Sequence, residues 1–83
     1  MLIVYGTMLC GDCVNAEKLF RENGVEFEFR DITKELPYMK EFLKIRDTNP
    51  LYDEVKKAGK IGIPTILKED GSIELDAEKI VNV

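Results

Sequence analysis

The chain has no histidine and no tryptophan, and only two cysteines and three prolines among its 83 residues. With no histidine and no third cysteine, the two thiols supply only half of a zinc site, which argues against a metal centre. No apolar run approaches the roughly 18–20 residues that a membrane span needs. The opening Met1-Leu2-Ile3-Val4-Tyr5 lacks the basic stretch and the longer apolar run of a signal peptide. A cytoplasmic location is therefore expected. A basic surface is missing as well: 12 Lys and Arg stand against 16 Asp and Glu, a net charge of −4 with both signs mixed along the chain. Neither nucleic acid nor an anionic membrane is expected as a partner. There is no internal repeat, low-complexity tract or linker. The length fits one small domain over residues 1–83, and a monomer is expected.

What is present is enough for one core, with 45% hydrophobic and 34% charged residues. A domain of this size buries about 60–65% of its unfolded surface, so modest stability is expected. The most informative stretch is Cys10-Gly11-Asp12-Cys13. It follows an apolar strand pattern at residues 2–5 and a loop at residues 6–9, and it opens a helical pattern running from Asp12 to Asn23. A Cys-x-x-Cys there sets two thiols at a helix N-terminus, where unpaired N–H groups and the macrodipole favour a thiolate. In a reducing compartment such a pair is more often catalytic or metal-binding than a structural staple. A disulfide closing so short a loop would add little by chain entropy.

Cys13, Ala16, Leu19 and Phe20, with Val14 beside them, form the inner stripe of that helix, and Asn23-Gly24 stops it. Residues 25–30 alternate apolar and charged, as a half-buried strand does. Strand, helix and strand make a right-handed βαβ unit with parallel strands. A second helix follows, with Leu36, Met39, Phe42 and Leu43 inward and Pro37 in its first turn. Asn49 caps a third helix, with Pro50 at its first position, Leu51, Tyr52, Val55 and Ala58 inward, and Gly59 as its stop. Residues 63–67 resume an apolar strand, and Asp70-Gly71 predicts a two-residue hairpin to a last strand at residues 72–75. Asp76 caps a closing helix from Ala77 to about Asn82. Phe20, Phe27, Phe29, Phe42 and Tyr52 fall on these periodicities as core residues. Tyr5 reads either as core or as a flank of the cysteine site.

The Cys10-x-x-Cys13 after the first strand and the Ile63-Pro64-Thr65 opening the third resemble the thioredoxin fold in its minimal, glutaredoxin-like form. Arg46-Asp47-Thr48-Asn49-Pro50 and Lys60-Ile61-Gly62-Ile63-Pro64 are similar to segments of the small glutaredoxin-related proteins. The resemblance implies an α/β fold, β-α-β-α-α-β-β-α, with a four-stranded mixed sheet in the order 2-1-3-4. It implies a cis Pro64 beside the cysteines, with the Ile63 backbone and Thr65 shaping a substrate groove. The activity it implies is thiol–disulfide exchange, with Cys10 as nucleophile and Cys13 resolving the mixed disulfide. Protein disulfides or glutathione mixed disulfides are the implied substrates. No cofactor is built in; glutathione is a co-substrate candidate, and a reductase is the alternative electron donor.

The chain also departs from the glutaredoxin pattern. Gly11-Asp12 replaces the Pro-Tyr pair, and Thr7 stands where a lysine is usual. Asp12 suits a helix N-terminus but opposes a thiolate forming beside it. Glu74-Leu75-Asp76 occupies the region where glutaredoxins hold the glutamyl end of glutathione. Asp76 is thus either a ligand there or a helix cap alone. Lys60 either meets a glutathione carboxylate or is a solvated loop lysine. Two alternatives stay open: a thioredoxin-like reductase independent of glutathione, and a module that shares an iron–sulfur cluster between two chains through the first cysteine and glutathione.

Overall fold

The apolar run after Met1 forms β1 (Leu2–Gly6) at the centre of a four-stranded sheet in the order β2-β1-β3-β4. A computed structural model describes residues 1–82. Strand β2 (Phe27–Asp31) runs parallel to β1, with Leu2 opposite Phe27 and Tyr5 opposite Arg30. Strand β3 (Thr65–Leu67) is antiparallel to β1 on its other side, with Tyr5 opposite Thr65. Strand β4 (Ile73–Glu74) closes the sheet antiparallel to β3. This is the minimal thioredoxin fold, with the strand order expected.

Alternation along β1 divides the core in two. Val4 joins Phe20 and Ile66 on one face, under helix α1 (Gly11–Glu22) and the short α4 (Glu78–Val81). Phe27 and Phe29 close this layer, and the Phe20 and Phe27 rings meet edge to face at 5.6 Å. On the other face, Tyr5 joins Ile32 and Phe42 beneath α2 (Leu36–Thr48). Tyr5 is therefore core and does not flank the cysteines. Its hydroxyl donates to Glu41 at 2.8 Å and accepts from Arg30, which also pairs with Glu28 and Glu41.

Asn23-Gly24 ends α1 as expected: Gly24 takes a φ of 67°, and the Val25 N–H returns to the Phe20 carbonyl at 2.9 Å. Several boundaries and faces differ from the sequence-based expectation. The third helix is a 3-10 turn (Pro50–Tyr52) followed by α3 (Asp53–Lys57). Asn49 does cap the turn, accepting the Leu51 N–H at 2.9 Å. Leu36, Leu43, Leu51 and Val14, expected inward, are exposed, and so is Ala58. One layer of helix over a four-stranded sheet needs only a narrow stripe from α2: Phe42 is fully buried, and Met39 and Ile45 pack part-buried beside it. Strand β2 starts at Phe27, two residues late. The hairpin is wider than two residues: Lys68 N–H donates to the Ser72 carbonyl at 2.9 Å, with Asp70-Gly71 inside that loop.

The Phe20 ring is wholly buried between sheet and helix, so Phe20→Ala should cost about 3–5 kcal/mol by lost transfer and a residual cavity. Leu36→Ala, at 65% exposure, should stay within about 0.5 kcal/mol. Urea unfolding followed by circular dichroism checks both.

Candidate active site

The loop after β1 is held by hydroxyls. Asp31 accepts from the Thr33 hydroxyl at 2.6 Å, which leaves the Thr33 oxygen to accept from Thr7 at 3.2 Å. The Thr7 oxygen in turn accepts the Leu9 N–H at 3.2 Å, and the Cys10 N–H donates to the Thr7 carbonyl at 3.1 Å. Hydrogen bonds from Thr33 hold the Asp31 carboxyl below its ordinary range. Thr7, in the place of a lysine, is buried and structural: it fixes the turn that presents Cys10.

Cys10 is the N-cap of α1, with extended backbone, and its carbonyl accepts the Val14 N–H at 3.1 Å. It is part-exposed, whereas Cys13, a turn further on, is completely buried. Room for Cys13 comes from Gly6: a Cβ added there would lie 2.7 Å from the Cys13 sulfur. Burial pushes the Cys13 thiol up to about 12. The Thr7 backbone N–H opposes that shift, while the hydrogen bond to Cys10 and the charges of Cys10 and Asp12 add to it. The two thiols are thus close together, one at the surface and one sealed below it.

Facing them is the segment before β3. The Ile63-Pro64 peptide is cis, and Pro64 is buried. A groove of about 650 Å3 runs between this segment and Cys10, bounded also by Thr7, Leu9, Asp12, Lys60 and Leu75. Of the predicted residues, Cys10, Lys60, Ile63 and Pro64 line it together. Thr65 is fully buried beneath it. Asp76 lies outside it, in the adjoining cleft, where its carboxylate accepts the Glu78 N–H at 3.0 Å; the residue flanking α4 is Ala77, one position later than the cap expected at Asp76.

Two residues that periodicity marked only as core or left unassigned hold this loop. Tyr52 is wholly buried and donates to the Thr65 hydroxyl at 2.6 Å, which donates to the Gly62 carbonyl at 2.7 Å. Burial raises the Tyr52 pKa above its ordinary value. Gly62 has a φ of 99°, and a Cβ there would press on the Tyr52 ring at 3.0 Å. From the other side Arg46 donates to the Ile61 and Lys60 carbonyls at 2.8 and 3.3 Å. Arg46 and Gly62 enter the sequence reading only within the two segments similar to glutaredoxin-related proteins, with no role attached to either.

Among the described residues no group of three or more Cys, Asp or Glu side chains is arranged to hold a metal ion. No helix among them is long and apolar enough to cross a membrane.

The family model described as Glutaredoxin matches residues 2–71. An uncharacterized protein of Haemophilus influenzae is 35% identical over 57 residues, covering 69% of this chain and 66% of that protein. The match spans just under two thirds of that relative's length.

Gly6→Ala should cost about 1–3 kcal/mol through overpacking against the Cys13 sulfur. The loss should shrink in a Cys13→Ala background, where the clashing sulfur is gone; urea unfolding of the four-member cycle measures it. A second outcome concerns pH. The folded Cys13 titrates at about 12, against about 8.5 in an unfolded chain. The folded state therefore holds this proton more tightly. That contribution is complete below about pH 8.5 and is lost as pH rises toward 12. The stability of the wild type should fall relative to Cys13→Ala between about pH 9 and pH 11, by at most on the order of 1 kcal/mol per pH unit.

Proposed function

This chain belongs to the glutaredoxin family, and from that premise we propose that it is a dithiol thiol–disulfide oxidoreductase in which Cys10 attacks and Cys13 resolves. The observation that carries the assignment of roles is the unequal burial of two neighbouring thiols beside a groove. A substrate sulfur in the groove reaches Cys10 and is shut off from Cys13 by the protein itself.

In the first step the Cys10 thiolate attacks one sulfur of a substrate disulfide. A Cys10–substrate disulfide forms, the substrate's S–S bond breaks, and the other half leaves as thiolate. Until then Cys13 stays protonated, because it is buried and faces a negative Cys10. Once Cys10 is in the mixed disulfide its charge is gone, and with it two of the causes that hold the Cys13 proton. Cys13 can then pass its proton to a leaving thiolate or to solvent and attack the Cys10 sulfur. The Cys10–Cys13 disulfide forms, and the second substrate thiolate departs. The substrate has gained two electrons. Two equivalents of a small thiol such as glutathione, or a reductase of the thioredoxin-reductase type, return them.

Protein disulfides and glutathione mixed disulfides are the proposed substrates, and the proposed setting is a monomer in a reducing cytoplasm. A thioredoxin-like reductase that ignores glutathione differs in one readout. The hydroxyethyl disulfide assay coupled to glutathione reductase requires the glutathione route, so its absence beside insulin reduction would select that alternative.

Cys10→Ser should reduce turnover to the uncatalysed background. Cys13→Ser should accumulate a mixed disulfide at Cys10, visible by intact-mass spectrometry and released by dithiothreitol. Wild-type activity retained in Cys10→Ser would overturn the assignment.

A further inference from the structure

Thr7 stands between the two cysteines and the sheet. Its carbonyl accepts the Cys10 N–H at 3.1 Å, and its hydroxyl oxygen accepts the Leu9 N–H at 3.2 Å. Its backbone N–H is directed at the Cys13 sulfur, which lies so close to the preceding residue that a Cβ on Gly6 would sit 2.7 Å from it. The Cys10 side chain makes no cap bond to α1. The spacing of the two sulfurs therefore depends on where Thr7 is held.

Every polar group of Thr7 is turned to the dithiol loop except its hydroxyl proton, and that proton is the anchor. Its direction is set by a charge. The Thr33 hydroxyl holds the Asp31 carboxyl below its ordinary range, the Thr7 hydroxyl acts in the same direction, and the group is ionised at neutral pH. An ionised carboxylate only accepts. It takes the Thr33 N–H at 2.8 Å and the Thr33 hydroxyl at 2.6 Å, the length of a charge-assisted bond. The single Thr33 hydroxyl proton is spent there, so Thr7 donates at the 3.2 Å contact between the two threonine oxygens. Polarity runs one way, from the Leu9 N–H through Thr7 and Thr33 to Asp31, and the charged end strengthens the chain along its length. Asp31 is itself fixed in the β1–β2 ladder opposite Gly6, and the Ile32 N–H closes on the Gly6 carbonyl at 2.9 Å. The ladder that seats Gly6 against Cys13 thus also carries the anchor of the Cys10 loop.

We propose that Asp31 is a positioning residue for the resolving step: acting through Thr33 and Thr7, its carboxylate fixes the line along which the Cys13 sulfur meets Cys10. The proposal rests on the dithiol reading above and adds to it a residue that acts at one remove. The two steps make different demands. Attack by Cys10 needs a part-exposed sulfur, which its place at the start of α1 supplies with or without the chain. Resolution is intramolecular. Cys13 attacks the Cys10 sulfur, the Cys10–Cys13 bond forms, the Cys10–substrate bond breaks, and the substrate sulfur leaves as a thiolate that takes up the proton Cys13 gives up. Its rate rests on alignment, and a misplacement on the order of 1 Å can cost about a hundredfold.

The test is the reaction of the fully reduced protein with excess hydroxyethyl disulfide, acid-quenched over time and read by intact mass. The masses separate dithiol, mixed disulfide and internal disulfide. Varying the oxidant separates the steps, because attack scales with its concentration and resolution does not. Thr33→Val keeps the side-chain shape and the Asp31 charge but breaks the chain, and Thr33 is exposed, so the fold should survive. Thr33→Val and Asp31→Ala should each slow resolution about tenfold and let the mixed disulfide accumulate, with attack slowed less than about twofold. Thr33→Ser should resolve like the wild type. In the double variant Asp31→Ala/Thr33→Val the losses should not add, since each substitution removes the same link. Resolution at the wild-type rate in Thr33→Val or Asp31→Ala, additive losses in the double variant, or equal slowing of both steps overturns the proposal and leaves the dithiol reading intact. A protein that forms no mixed disulfide even as Cys13→Ser overturns the dithiol reading instead.

Discussion

The site depends on the antiparallel pairing of β1 with β3. Tyr5 sits opposite Thr65, so the chain leaving β1 and the chain entering β3 emerge at the same edge of the sheet. That single register brings the loop carrying Cys10 against Ile63 and Pro64, although more than fifty residues separate them. A slip of one residue would move Val4 and Tyr5 to the wrong faces and break both halves of the core. Phe20 on one side and Phe42 on the other lock the register, each wholly buried.

Once the two loops are adjacent, hydrogen bonds hold their shape. The chain of hydroxyls from Asp31 through Thr33 and Thr7 serves one loop, and Tyr52, Thr65 and Arg46 serve the other. Each polar group is directed at a backbone carbonyl or amide or at a neighbour that is. Among the described residues no buried side-chain polar atom is left without a partner. In a low-dielectric interior that completeness matters more than the number of bonds, because one unsatisfied group costs what several good ones contribute.

The strand order, the cis Pro64 and its place beside the cysteines were legible through the family resemblance that Cys10-x-x-Cys13 and Ile63-Pro64-Thr65 carry, because those motifs are local signals. The faces of α2 and α3 were not. Leu36, Leu43 and Leu51 fit an inward stripe by spacing, but on so small a sheet only Phe42 and Tyr52 are fully buried, with Met39 and Ile45 part-buried beside Phe42. Spacing shows which residues share a face and says nothing of how wide the covered strip is. The same limit applies at the end of the chain. Asp76 reads either as a ligand for the glutamyl end of glutathione or as a helix cap. Which backbone N–H groups Glu74 and Asp76 occupy depends on the φ and ψ of the turn, and that appears only in three dimensions.

Asp12 draws these strands together, because its charge acts in opposite directions on two structures it adjoins. In the first turn of α1 a carboxylate complements the macrodipole, by about 0.3–1 kcal/mol at an exposed position. At the same time it adds to the charges that keep Cys13 protonated. For a dithiol mechanism that second effect is no handicap in the attacking step, since Cys13 takes no part until Cys10 has lost its charge. The acid thus bears on the buried thiol while also lining the groove beside Cys10. A neutral side chain in its place would remove both effects at once, leaving the helix end without its carboxylate and the buried thiol with one charge fewer against its ionisation.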